Sequence, residues 1–488
     1  MKLVFLTFAL LTPALLVFSS RARGQPQPVY GQQQAAYAQP LKKPAPPPEL
    51  EAPAPFTSRD GRIKGWKVIL PGNRPLATPA VVDGKVFIGG GFGSHEFYAL
   101  DALTGKMLWR HQTTDDGPTA AVVQDGFVVF NTEGCELEVL TVEGKPVWKK
   151  WLGDPLMSMP ACAPGRVFMA YPNSRGDRQH YLACLELKTG KELWKRPIAG
   201  EIITAPVIEK ENVYLSTLDG TLYCFRQNDG QLVWSDKKNV TSSPTVWGEN
   251  CYFSRREEVA DKKGNQEVRL QTERLAARGT GAKDLPRDLS ATTRPADYLD
   301  YAKRVASPNE KLLQSYDHSV GLAQGKGDAK IEQAMRNLGQ ASVAGIWAYQ
   351  GSKPFIAEGR LFSAMGDTLK CIDAKTEKVL WLKVVEPHDR KEDRGELLDS
   401  VLTPPAVVNG KVFVGTVYGD VYCLLARSGT LLWSVHLGEP VVFQPAVAKG
   451  RVYVSTSRGS LFCLETGDPK DDGWLMWGAN AGHNGLAK

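Results

Sequence analysis

"ALDALTGKMLW", residues 99–109, reads as the end of one β-strand, a tight turn and the start of another, with Trp109 four residues after Gly105. Variants recur as "CLELKTGKELW" from 184, "CFRQNDGQLVW" from 224, "CIDAKTEKVLW" from 371 and "CLLARSGTLLW" from 423. The turn needs positive φ, which glycine adopts without steric cost. A large flat ring four residues later suits a gap between packed sheets. A motif that returns along the chain is the mark of a repeat architecture.

Aligning on the turn exposes a longer unit, clearest from Thr403 to Glu439, "TPPAVVNGKVFVGTVYGDVYCLLARSGTLLWSVHLGE". "PAVV", "KVFVGTV", "VYCLLA" and "LLWSVHL" are β-branched and aromatic, and Asn/Gly, Gly/Asp and Ser/Gly turns separate them, so each unit reads as a four-stranded antiparallel meander. First strands read at 78, 119, 158, 204, 242, 353, 403 and 444, which makes eight units. Trp109, Trp148, Trp194, Trp234, Trp347, Trp381 and Trp433 mark the fourth strands. The eighth unit runs out of chain before its own, and "GWKVILPG" from Gly65 supplies a Trp66-bearing strand ahead of the first unit. A ring closed by that strand leaves no long free edge. The expected fold is an all-β, eight-bladed β-propeller closed by an N-terminal strand, with seven blades as the alternative because the fifth unit is degenerate. Gly105, Gly144, Gly190, Gly230 and Gly429 hold the turn position; Glu377 stands there in the sixth unit.

In the fifth unit the β pattern breaks over residues 280–342, and "GIWAYQG" with Trp347 reads as the returning fourth strand. The interruption reads as partly helical. Tyr298 and Tyr301 share one face of "TRPADYLDYAKRV", and Ile331, Met335 and Leu338 form a stripe in "GDAKIEQAMRNLG". These five residues are a candidate partner surface; a simple decoration of the blade is the other reading.

With the unit laid out, the chain resembles the pyrroloquinoline-quinone-like (PQQ-like) propeller repeat family, whose consensus runs approximately Ala-x-Asp-x-x-Thr-Gly-Lys-x-x-Trp. The resemblance covers roughly Gly61 to Glu465 apart from the interruption, and implies that Trp66 and the fourth-strand Trp residues dock neighbouring blades. The closing "WLMWGANAGHNG" from Trp474 resembles Trp-rich, Gly-ending segments of such proteins, and its two Trp residues are expected to pack on the ring. The family includes quinoprotein dehydrogenases, which carry a disulfide between adjacent cysteines beside the quinone, a calcium ion on carboxylate and amide oxygens, and an Asp base. This chain has no Cys-Cys pair and no Cys-x-x-Cys-His haem site. In character it is closer to non-catalytic propellers such as the outer-membrane assembly lipoprotein, though it lacks that protein's lipid-anchor cysteine.

The remaining features bound where such a propeller works. Lys2, an apolar run from Leu3 to Phe18 and "SSRARG" read as a signal peptide over residues 1–24, because the run is shorter than the ~20 residues of a spanning helix and contains Pro13. Residues 25–56, rich in Pro, Gln and Ala, read as a disordered tether, followed by the propeller over 57–488 with a Trp/Gly segment over 466–488. Losing the signal takes the formal charge from +6 to +3, which argues against a nucleic-acid partner. The seven histidines show no metal-ligand spacing. Cys184, Cys224, Cys371, Cys423 and Cys463 replace Ala99 in register and read as small buried residues, too far apart to pair; Cys135, Cys162 and Cys251 have no assignment. The expected protein is therefore exported, periplasmic or secreted, monomeric, without a membrane span or lipid anchor, and a scaffold that binds another envelope protein. No catalytic or metal residue is assigned and no cofactor is expected. The alternative is a PQQ-dependent oxidoreductase with quinone and calcium in the channel.

Overall fold

The computed structural model describes residues 49–153, 158–173, 179–263, 266–295, 353–385 and 402–485. Among them every regular element is a strand, and the strands form eight antiparallel sheets. The first blade comprises Ala80–Val82, Lys85–Gly89, Glu96–Asp101 and Met107–Gln112, paired in sequence order. The seventh repeats it with Ala406–Val408, Lys411–Gly415, Asp420–Leu425 and Leu431–His436. The eighth takes three strands from Ala446–Glu465 and its fourth from Lys64–Ile69, so the ring closes through the strand that carries Trp66. Ala54–Thr57, at the end of the stretch whose composition reads as tether, adds a fifth strand outside it. The short first strands stand side by side around the axis.

Cross-strand register explains the recurrent residue types. Phe87 on the second strand faces Ala99 on the third, which faces Trp109 on the fourth. The same line runs Phe168, Cys184, Trp194; Tyr214, Cys224, Trp234; Phe362, Cys371, Trp381; Phe413, Cys423, Trp433; and Tyr453, Cys463, Trp66. Only a small middle residue lets the two rings meet over it, with centroids 5.9 Å apart for Phe87 and Trp109 and 6.2 Å for Tyr453 and Trp66. All eight cysteines are buried and free, Cys135, Cys162 and Cys251 included. Burial pushes the thiols of Cys184, Cys224, Cys251, Cys371, Cys423 and Cys463 up to about 12. A thiol reagent at neutral pH is therefore expected to label none of the eight in the native protein and all of them after denaturation. Rapid labelling of any one without unfolding would contradict this packing.

Trp66, Trp109, Trp148, Trp194, Trp234 and Trp381 also reach the next blade. A Cβ on Gly105 would lie 2.8 Å from Trp66, on Gly144 2.6 Å from Trp109, on Gly190 2.8 Å from Trp148, on Gly230 2.5 Å from Trp194 and on Gly429 2.8 Å from Trp381. The indole N–H donates to a carbonyl of the same turn: Trp66 to Ala102 at 3.3 Å, Trp148 to Leu187 at 2.8 Å, Trp381 to Ala426 at 2.9 Å. The glycine therefore serves two needs, positive φ and room for the neighbouring ring.

The fifth blade departs from the sequence expectation. Its second and third strands are long, Asn250–Lys263 and Gln266–Gly279, and its fourth is Arg287–Pro295, inside the stretch that reads as an interruption. "GIWAYQG" is therefore not this blade's fourth strand; Trp347 lies outside the described residues, as do Tyr298, Tyr301, Ile331, Met335 and Leu338. The reason is a paired substitution. Arg287, opposite Ala277, occupies the Trp register, and it ion-pairs with Glu377, which holds the next blade's glycine position at φ 59°. One seam has exchanged a Trp–Gly contact for an Arg–Glu pair. Because that pair is solvent-accessible, Arg287→Ala is expected to cost no more than ~1 kcal/mol. Arg287→Trp combined with Glu377→Gly is expected to gain about 1 kcal/mol in chemical denaturation; a net loss would mean that this seam is shaped differently from the others.

Candidate functional site: the propeller axis

The axis is where a propeller of this kind would hold a ligand, and here the chain's own C-terminal segment runs through it. A first strand pairs only with the second strand of its blade, so its axial edge carries free N–H and C=O groups. The segment 474–484 meets these edges at the central residue of five first strands. Val447 and Trp474 exchange backbone bonds at 2.6 and 3.0 Å. The amides of Val81, Cys162 and Ile208 donate to the carbonyls of Leu475, Ala481 and Gly482 at 2.6, 2.7 and 2.8 Å. The Asn484 side-chain amide bonds both the N–H and C=O of Val246 at 2.8 Å. One strap thus ties the eighth, first, third, fourth and fifth blades.

Two indoles fill the space between these contacts. Trp474, with no exposed surface, meets Phe355 of the sixth blade edge-on at 4.9 Å. Trp477, equally buried, packs among Ala77, Phe92, Ala120, Met159, Ala205 and Phe443. Gly478 donates to Gln444 Oε1 at 2.8 Å. The ring nitrogens of His483 face the carbonyls of Trp477 at 2.7 Å and Pro160 at 2.8 Å. Burial holds that imidazole down at about 4, against two carbonyls that favour its charged form. Sequence reading places the two Trp residues on the ring; the structure places them inside it. The signal is visible in retrospect, because "WLMWGANAGHNG" offers bulky apolar residues with no strand pattern to carry them.

On the side of the first-to-second-strand turns the axis ends in a cavity of about 550 Å³. Ile208, Val407 and Val408 form its apolar walls; Glu209, Glu358, Asp472 and Asn480 add polar groups. Its inner side is the strap itself, at Gly473, Asn484 and Gly485.

Two features of a quinone site with calcium have no counterpart among the described residues. Among the described residues no three His, Cys, Asp or Glu side chains are grouped to hold a metal ion. No two cysteines are adjacent in the chain, and the eight thiols sit buried within the fold. Two buried indoles and a backbone strap fill the axis.

Comparison with known proteins agrees with the fold. A family model described as outer membrane protein assembly factor BamB matches residues 56–149, 137–292 and 366–482. The protein of that name from Shewanella oneidensis is 26% identical over 211 residues, 40% of this chain and 51% of its own length. The dehydrogenase subunit of a quinone alcohol dehydrogenase from Gluconobacter oxydans is 33% identical over 108 residues, 20% of this chain and 14% of its own. The chain thus spans about half the length of the first of these curated relatives and a small part of the second. BamB from Moraxella catarrhalis superposes with a TM-score of 0.52 at 12% identity, over 86% of this chain and 100% of that one. Quinohemoprotein alcohol dehydrogenase from Comamonas testosteroni reaches 0.51 at 14%, over 83% and 76%. These structural likenesses speak for the fold alone. With the ring, its repeat and a family match over well more than half the sequence, the chain belongs to the family described as outer membrane protein assembly factor BamB, the PQQ-like repeat propellers.

Proposed function

We propose that the protein is a non-catalytic propeller, exported to the cell envelope, that acts as a scaffold for another envelope protein. The observation that carries this reading is the strap: five inner strands are bonded to the chain's own C-terminal segment, and two fully buried indoles occupy the axis. A catalytic propeller needs that space for its cofactor, whereas a scaffold needs only its rims and perimeter. The perimeter supports the reading too. The residue after the docking Trp is Lys67, Arg110, Lys149, Lys195, Ser235 or Ser434 in six blades, but in the sixth blade it is Leu382, 60% exposed beside the exposed Leu380 and Val384. Such an apolar stripe on an outer strand suits contact with another protein. No helix among the described residues is long and apolar enough to cross a membrane.

The test has two arms. Titration of the purified protein with PQQ and Ca²⁺ is expected to give no saturable absorbance change and no alcohol- or sugar-dependent dye reduction. Turnover would replace this reading with that of a PQQ-dependent oxidoreductase. Crosslinking in the native envelope is expected to yield a defined partner whose yield falls in a Leu382→Glu variant that still folds. An unchanged partner set would remove the outer strand of the sixth blade from the contact surface.

A further inference from the structure

The axis also holds a buried lysine that neither the strap nor the scaffold role uses. In seven blades the chain enters the first strand through a residue followed by proline: Thr78, Met159, Ala205, Ser243, Lys353, Pro404 and Gln444. Met159 and Ala205 pack on the Trp477 indole, and Gln444 accepts the amide of Gly478 next to it, so these positions ring Trp477. Lys353 has no exposed surface, and its ammonium lies 5.2 Å from the centroid of the Trp477 ring and 5.0 Å from that of Phe355. Its hydrogen-bond acceptor is the carbonyl of Pro244, no carboxylate pairs with it among the described residues, and burial pulls its pKa well below the usual lysine range, so that only a neighbouring anion would keep it charged. Two further donors belong to the same ring. Ser243, bonded to Pro244, has a fully buried hydroxyl without a partner among the described residues, and so has the indole N–H of Trp477.

The Lys353 amine, the Ser243 hydroxyl and the Trp477 indole N–H are thus three buried donors of one ring, and the carbonyl of Pro244 is the one acceptor the described residues give them. Buried donors without acceptors are costly, and a buried charge without a counter-charge more so. Donors alone cannot hold a cation. Complete enclosure favours a single small ion over a carboxylate or phosphate ester. We propose that the axis binds a monatomic anion of the chloride class, held by Lys353 Nζ, Ser243 Oγ and Trp477 Nε1. The site would tie the strap to the fifth and sixth blades by charge, where its other ties to first strands are hydrogen bonds.

The test uses the full chain. Thermal unfolding at fixed ionic strength, with gluconate replaced stepwise by chloride, is expected to show a saturable rise in Tm of a few degrees. Bromide is expected to act likewise, and crystals grown in bromide to show an anomalous peak beside Lys353 Nζ. Lys353→Met is expected to abolish the halide dependence; if that variant does not fold, Ser243→Ala is expected to weaken it. A Tm indifferent to halide would overturn the proposal. It would mean that Lys353 is uncharged, with its nitrogen free to accept from Ser243 or Trp477. A halide effect undiminished in the variants, or a bromide peak elsewhere, would overturn it equally.

Discussion

Replacing Trp474 and Trp477 together by alanine is expected to lower stability by about 6–10 kcal/mol, since a fully buried Trp truncated to alanine costs about 3–5 kcal/mol. That is comparable with the whole stability of a typical domain, about 5–15 kcal/mol. The size of the effect follows from position. Trp474 joins a buried cluster that runs through the sixth, seventh and eighth blades, while Trp477 sits among residues of the first, second, third, fourth and eighth. Removing both leaves a void on the axis, surrounded by first strands that cannot move inward without breaking their own sheets. Denaturant unfolding of each single variant and of the pair would measure the loss. If the pair stayed within ~1 kcal/mol of the parent, the indoles would be decorations on a ring that holds itself.

Gly230→Ala is the second large effect, expected at about 3 kcal/mol. The backbone at this turn has φ +68°, and a Cβ there would stand 2.5 Å from Trp194, so strain and overlap add. Gly84→Ala isolates the first contribution, because Gly84 has φ +73° with nothing within 4 Å of the added Cβ. Its cost is expected at about 1 kcal/mol. In a Trp194→Ala background the penalty at Gly230 is expected to fall to that of Gly84, a coupling that a double-mutant cycle reads directly. Equal costs at the two glycines in the parent would show that the turn glycine answers to φ alone and that the inter-blade contact contributes nothing.

What could be read from the residues follows from repetition. The turn around Gly105 and Trp109 recurs, so its register, the eight blades and closure through Trp66 could be laid out before any contact was known. The fifth blade is harder because both sides of its seam with the sixth changed together. With Arg287 in place of Trp and Glu377 in place of Gly, neither residue flags the other, and the pair becomes visible only when the seam brings them together. The axis was hidden for a different reason. The strap occurs once, without a period, and its backbone partners, from Val81 to Val447, are scattered along the chain and share only their place at the centre of a first strand. Lys353 was equally silent, since a lysine before a proline reads as a loop residue until the ring turns it toward the axis.

Hydrogen–deuterium exchange over residues 474–485 tests most directly whether the axis is closed by the chain's own strap. The amides of Trp474 and Gly478, and those of Val81, Cys162, Ile208 and Val447 that bond to the strap, are expected to exchange as slowly as the second strands of the same blades. Exchange of the segment at the rate of an unstructured peptide, with the first strands losing protection beside it, would mean that the channel stands open and that a ligand can enter.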